Sequence, residues 1–320
     1  MINAAVLHGF DKPPRYEEFP EPTPGEGEVL VDVIAAALKP VDKQMASGAH
    51  YASPREFPVI CGNDGVGRLA DGTRVFFGGP RRPYGAMAER TVVRRVQCFS
   101  VPENLDDITA AAIPNPGVSA WLTLKHSAKL KPDESVLILG ATGVTGKLAV
   151  QIAKIFGARR IVAAGRNEES LQALLKLGAD ATIQLNAPEA ELIETFRREA
   201  GEKGFDVIVD YVWGHPTEVL LKAITKNEFA EAGPEIRLIQ VGESAGQAIS
   251  LPAAVLRSTP LTIRGTAGIP PWDVLTAAFE QVMSNAARGN LRIETERVPL
   301  TEIEAAWGRN VNARRLVVIP

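Results

Sequence analysis

The sequence predicts an α/β protein of two domains, with a helix-flanked parallel sheet in the middle of the chain and a β-rich domain formed by its two ends. Three observations carry that expectation. The 320 residues exceed the size at which one hydrophobic core keeps growing. From Gly117 to Gly265 short apolar strands alternate with helix-period segments, an order that produces parallel strands joined by crossover helices. From Met1 to Pro116 proline and glycine punctuate short β-prone runs, the texture of a partly open β structure with many turns. The expected boundaries are residues 1–116 and 266–320 for one domain and residues 117–265 for the other.

Composition narrows the function classes. With 45% hydrophobic and 23% charged residues the chain matches a globular protein and not a disordered one. A net charge of −3 supplies no attraction to nucleic acid or to an anionic membrane. The first twenty residues lack a basic start and an apolar core, and the most apolar run, VLVDVIAAAL, is short and broken by Asp32; neither a signal peptide nor a membrane span is expected. Two cysteines, Cys61 and Cys98, are too few for a disulfide framework and fit a reducing, cytoplasmic setting.

The elements follow in order. EVLVDVIAA, GVGRLADGTRVFF and ERTVVRRVQCFSVP read as strands of the first domain. SVLIL, RIVAA, ATIQL, FDVIVDY, IRLIQV and LTIR read as the parallel strands. Between them EESLQALLKLG reads as a helix, with Leu171, Leu174 and Leu175 on one face and Gly178 ending it. PPWDVLTAAFEQVMSNAARG is a further helix, Thr301 and Glu304 in PLTEIEAAW have capping-box spacing, and RRLVVIP is a closing strand. This tail has no strand order of its own, so it is expected to complete the first domain.

The stretch SVLILGATGVTGKLAVQIAK carries the chemistry. A buried strand, Ser135 to Leu139, runs into a turn of Gly140, Ala141, Thr142, Gly143, Val144, Thr145 and Gly146, with a helix beginning near Val144. Glycines let the backbone approach a ligand, and free N–H groups at the positive end of a helix make an anion site suited to the diphosphate of a dinucleotide. The second strand ends at Ala164 and Gly165 with no acid for a ribose 2′-OH, and Arg166 follows. A guanidinium there is fit to hold a 2′-phosphate, which favours NADP (NADPH) over NAD. The competing reading is a solvated Arg166 paired with Glu168 or Glu169.

These residues, with EEFPEPTPGEGEVLVDVIAAALKPVDKQMASGAHY, CGNDGVGRL, AAIPNPGVSAWLTL, KLGAD and RRLVVIP, resemble the medium-chain dehydrogenase/reductase superfamily, in particular its zinc-independent, quinone oxidoreductase-like (zeta-crystallin-like) branch. The resemblance covers nearly the whole chain. It implies a GroES-like, partly open β-barrel catalytic domain, a doubly wound Rossmann domain, a cleft for NADPH and a homodimer made by pairing of Rossmann edge strands. It also implies that Asn115 and Ser119 border the nicotinamide and phosphates, and that Val241 and Gly242 lie beside the nicotinamide ribose. Where zinc alcohol dehydrogenases of the superfamily carry metal ligands, this chain has Lys39, Asn63 and Asn115, so no metal is expected.

Without a metal, hydride transfer suits a quinone or an α,β-unsaturated or otherwise activated carbonyl, whose conjugation spreads the developing charge. Tyr51 in SGAHY and Lys39 in LKPVD are the candidate catalytic donors, because the resemblance puts their segments at the cleft. Their competing readings are a packing lid for Tyr51 and a surface amine for Lys39. His50 is a solvated loop residue on this reading, and Asp210 caps a neighbouring loop. Two alternatives stand beside the quinone or enone reductase: a 2-enoyl thioester reductase, and a cofactor-binding protein with little turnover that serves as a redox sensor or scaffold.

Overall fold

A computed structural model describes residues 1–225, 234–266, 268, 270–309 and 314–320. The chain divides into two compact units, Met1–Asn115 with Met283–Pro320, and Pro116–Val282. The return to the first unit thus comes at Met283 and not at residue 266, because the chain leaves the parallel sheet at Gly265 and the long helix that follows runs across the boundary.

The first unit opens with β1 (Ile2–Leu7), β2 (Arg15–Phe19), β3 (Glu28–Leu38), α1 (Pro40–Ala46), β4 (Val59–Ile60), β5 (Asp64–Arg68), β6 (Arg74–Gly78), β7 (Arg90–Arg94), β8 (Cys98–Ser100) and α2 (Asp107–Ala112). The three β-prone runs foreseen from sequence are β3, the β5–β6 hairpin and β7 with β8. β3 is the hub: its first half pairs with β7, its middle with β5 across a register shift between Val33 and Ala35, and its end with the chain's last strand. β1, between β2 and β4, builds a smaller sheet. The core beneath is aliphatic, with Phe77 and Met87 fully enclosed.

The second unit contains most of α3 (Pro114–Leu122), then β9 (Ser135–Leu139), α4 (Val144–Ile155), β10 (Arg160–Gly165), α5 (Glu168–Leu177), β11 (Ala181–Gln184), α6 (Glu189–Ala200), β12 (Val207–Asp210), α7 (Gly214–Ile224), β13 (Ile236–Gln240), α8 (Ala253–Ser258), β14 (Leu261–Gly265) and the larger part of α9 (Trp272–Ala287). Its six strands are all parallel, in the order β11-β10-β9-β12-β13-β14. Counted from β9 this is the 3-2-1-4-5-6 order of the doubly wound dinucleotide-binding sheet. β9 is buried at every position, as a central strand covered on both faces must be.

The tail supplies β15 (Thr295–Pro299), α10 (Ile303–Trp307) and β16 (Arg315–Ile319). β16 lies between β15 and β3, so the end of the chain completes the first unit's larger sheet.

Two local expectations need correction. Leu171 and Leu174 are buried but Leu175 is 41% exposed: the stripe of α5 that meets the sheet is narrower than the leucine pattern, and Leu175 lies on its rim. Gly178 does end α5, with φ 115°. Thr301 and Glu304 form no capping box, because a 3₁₀ turn over Leu300–Glu302 moves the start of α10 to Ile303, with Glu302 at the N-cap.

Candidate functional site

The carboxyl ends of β9, β10, β12 and β13 gather most of the candidate residues. Gly140 leaves β9 with φ 79°, a left-handed conformation open to glycine without strain. Its N–H and that of Ala141 donate to Ala164 O at 3.0 and 2.9 Å, tying the turn to β10, and the Gly143 N–H donates back to Gly140 O at 3.1 Å. Gly143 is the N-cap of α4 and has no side chain to close it. The amides of Val144, Thr145 and Gly146 fall in the first turn, where N–H groups lack intrahelical partners and face the positive end of the dipole. A Cβ on Gly146 would fall 2.4 Å from Gly140 O and 2.6 Å from Ala141 Cα, so a larger residue would push the helix away from the strand end.

Gly165 closes β10, and a Cβ there would fall 2.4 Å from Thr142 Cγ2. An acid at that position would require the Thr142 side chain to move. Arg166 follows, exposed, and its backbone carbonyl accepts from Gln184 Nε2 at 2.9 Å and Asn186 Nδ2 at 3.2 Å. With Leu185 N–H donating to Gly165 O at 2.8 Å, the end of β11 clamps this turn. Among the described residues no ion pair joins Arg166 to Glu168 or Glu169. Sequence reasoning passed over Gln184 and Asn186; the signal available was two amides flanking a strand end.

Beyond β12, Asp210 is fully buried. Its carboxylate accepts from the Val212 and Trp213 N–H groups, both at 2.8 Å, and from Thr217 Oγ1 at 2.6 Å; burial pushes its pKa above the usual carboxylate range against these bonds. It caps the loop after β12. Its backbone carbonyl accepts from Val241 at 2.8 Å and Gly242 at 3.2 Å, and a Cβ on Gly242 would fall 2.7 Å from Tyr211 O. The turns after β12 and β13 are thus packed backbone to backbone. Asn115 and Ser119 are four positions apart on α3 and share a face; Asn115 is exposed and Ser119 half-buried.

The first unit holds the two candidate donors, and the structure corrects one of them. Lys39 is 1% exposed. Its Nζ donates to Asp64 Oδ1 at 2.7 Å and to Ala37 O at 3.2 Å and lies 3.3 Å from Asp42 Oδ2. Asp42 also accepts from the Lys39 N–H at 2.8 Å and from Asn63 Nδ2 at 2.6 Å. Arg315, also buried, donates to Leu38 O at 3.2 Å. Burial lowers the Lys39 pKa, but the Asp42 and Asp64 carboxylates outweigh it and hold the ammonium above the ordinary lysine range. Lys39 is not a surface amine: its ammonium donates two internal hydrogen bonds and pairs with two carboxylates. Tyr51, by contrast, is 97% exposed, its ring 4.2 Å from that of His50.

The donor set around Lys39 does not fit a metal. An ammonium already occupies the place between the carboxylates, Asn63 donates its amide to Asp42, and among the described residues no three His, Cys, Asp or Glu side chains gather as a metal site. The glycine turn and the acid-free end of β10 do fit a dinucleotide: Gly143 caps α4 without a side chain, and Gly146 lets the helix pack close on the end of β9.

Residues 144–285 match the family model described as zinc-binding dehydrogenase. The chain is 35% identical over 203 residues to a quinone oxidoreductase of Sus scrofa, a match spanning 59% of this chain and 59% of that protein. It is 27% identical over 284 residues to an NAD-dependent alcohol dehydrogenase of Sulfolobus acidocaldarius, covering 77% of this chain and 78% of that one. In fold it is similar to the quinone oxidoreductase of Thermus thermophilus, solved also with NADPH, with a TM-score of 0.81, 28% identity and coverage of 99% and 100%. Likeness in sequence over part of the chain and in fold over nearly all of it supports a place for the chain in the medium-chain dehydrogenase/reductase superfamily.

Proposed function

We propose that the protein is an NADPH-dependent oxidoreductase that transfers hydride to a quinone or an α,β-unsaturated or otherwise activated carbonyl compound, without a metal. The observation that carries this reading is the end of β10, where any side chain at Gly165 would meet that of Thr142 and Arg166 presents a guanidinium that pairs with no carboxylate among the described residues, on a backbone clamped by Gln184 and Asn186. A 2′-phosphate gains charge-assisted, bidentate bonds from such a group. The diphosphate takes the amides of residues 144–146, and Gly140, Ala141, Thr142 and Gly143 shape the floor on which it lies. Asn115, Ser119, Val241 and Gly242 form the remaining cofactor-binding set.

A reduced nicotinamide, when bound, supplies the hydride. The acceptor takes it at an electron-poor carbon, its conjugated system spreads the charge, and a proton from water or from a donor such as the exposed Tyr51 completes the reduction. The quinone oxidoreductases among the relatives support this acceptor class. The test is NADPH oxidation, followed by absorbance, with a panel of quinones, enones and 2-enoyl thioesters, beside NADH at equal concentration. The expected result is turnover with the first two classes and preference for NADPH. Tight NADPH binding with no oxidation by any acceptor would replace the enzyme with a cofactor-binding protein, and preference for NADH would refute the role of Arg166.

A further inference from the structure

Tyr211 presents a problem that the proposed function leaves open. Its hydroxyl is buried and has no hydrogen-bond partner among the described residues, although buried polar groups nearly always have one. An unpaired hydroxyl of this kind costs stability unless something else satisfies it. Burial also pushes the phenol pKa upward, so at neutral pH the group keeps its proton and can donate.

Its position says what would accept. Tyr211 is the first residue after β12, the neighbour of β9 on the side away from β10. The Tyr211 N–H donates to Leu139 O at 3.1 Å, and Tyr211 Cβ lies 3.1 Å from where a Cβ on Gly140 would be. Its carbonyl touches the Gly242 turn and accepts from Ser244 Oγ at 3.2 Å. The residue therefore stands between the turn after β9 and the turn after β13, at the crevice where the strand order reverses. A dinucleotide with its diphosphate on the β9 turn and its 2′-phosphate at Arg166, beyond β10, must send its other half across β12, one strand spacing or about 4.8 Å away.

We propose that the Tyr211 hydroxyl is a binding group for the nicotinamide half of the dinucleotide, donating a hydrogen bond to an oxygen of that half. The inference rests on the dinucleotide reading above. Binding then relieves an unpaired buried group, so the bond counts more toward affinity than one that merely replaces water.

Tyr211→Phe tests it, because the change deletes only the oxygen. The free variant is expected to melt at or slightly above the wild-type temperature. Its dissociation constant for NADPH is expected to rise roughly fivefold to tenfold, tenfold being about 1.4 kcal/mol. The affinity for 2′,5′-ADP, which lacks the nicotinamide half, is expected to stay unchanged. Tyr211→Leu, which also removes the oxygen but keeps an apolar side chain, should show the same split between the two ligands. An NADPH affinity within twofold of wild type overturns the proposal, as does an equal loss for both ligands. A drop of several degrees in the melting point of the free Phe variant, with NADPH binding intact, assigns the hydroxyl a structural partner instead. If the wild-type protein binds neither NADPH nor 2′,5′-ADP, the dinucleotide reading itself has failed.

Discussion

Lys39 Nζ and Asp64 Oδ1 lie 2.7 Å apart with side-chain exposures of 1% and 12%, an ion pair sealed inside the first unit. Asp42 on α1 and Arg315 on β16 complete the cluster, which ties the end of β3 to three other elements. Two cations face two carboxylates, so the group is balanced as long as it is whole.

Removing one member should therefore cost far more than a surface pair does. Lys39→Met is expected to lose about 3–5 kcal/mol of unfolding free energy in urea, the range for stranding a buried charge, and Lys39→Met with Asp64→Leu to recover part of it. A single-variant loss below ~1 kcal/mol, typical of exposed pairs, would contradict this account.

The same ammonium sets an alkaline limit. Its folded-state pKa is raised above the ordinary 10.5, so the stability it contributes is complete below that value and disappears as pH rises through the folded pKa. Urea midpoints recorded from pH 8 upward should fall more steeply at the alkaline end for the wild type than for the Lys39→Met/Asp64→Leu variant; parallel curves would be inconsistent with the pair.

Cofactor choice should follow Arg166 and its clamp. Arg166→Ala removes charge-assisted bonds of about 1.5–3 kcal/mol, which is roughly tenfold to a hundredfold in NADPH affinity, and should leave NADH binding unchanged. Gln184→Ala with Asn186→Ala keeps the guanidinium but frees the carbonyl that positions it, and a smaller loss, again confined to NADPH, is expected by fluorescence titration. Equal losses for both nucleotides would show that the turn matters only for folding.

Gly165→Asp, the obvious route to an NAD enzyme, should fail. Its Cβ would press on Thr142, so both nucleotides are expected to bind more weakly. A clean gain of NADH affinity would mean that the turn yields more readily than its packing implies.

A homodimer through a Rossmann edge is also expected. β14 pairs only with β13 among the described strands, and Thr262 and Arg264 are exposed, leaving one side of the strand open to a second copy. Light scattering should give twice the chain mass, and Ile263→Pro should shift it toward the monomer; a wild-type mass of one chain would exclude the pairing.

Much of this was readable in the linear chain. The six parallel strands follow from short apolar runs between helix-period segments, and the glycine turn stands out because GATGVTG is far richer in glycine than a bare turn requires. The absence of an acid at the end of β10, where Ala164 and Gly165 stand, is likewise a fact of sequence. Lys39 was not readable: a lysine after a strand and before Pro40 looks solvated, and only the approach of Asp64 from β5 and Arg315 from β16, 25 and 276 positions further along, makes it internal. Leu175 failed in the opposite sense, since periodicity gives the direction of a face but not the width of the surface that covers it.

The order of residues by itself determined the α/β class, the two-part division and the glycine turn after β9, because local propensity, hydrophobic period and glycine's backbone freedom act between near neighbours. Only the tertiary structure decided which polar groups are paired. Lys39 gained its carboxylates, the Arg166 carbonyl its two amides, and Tyr211 no partner at all among the described residues, since burial and hydrogen bonding depend on what distant strands bring into reach.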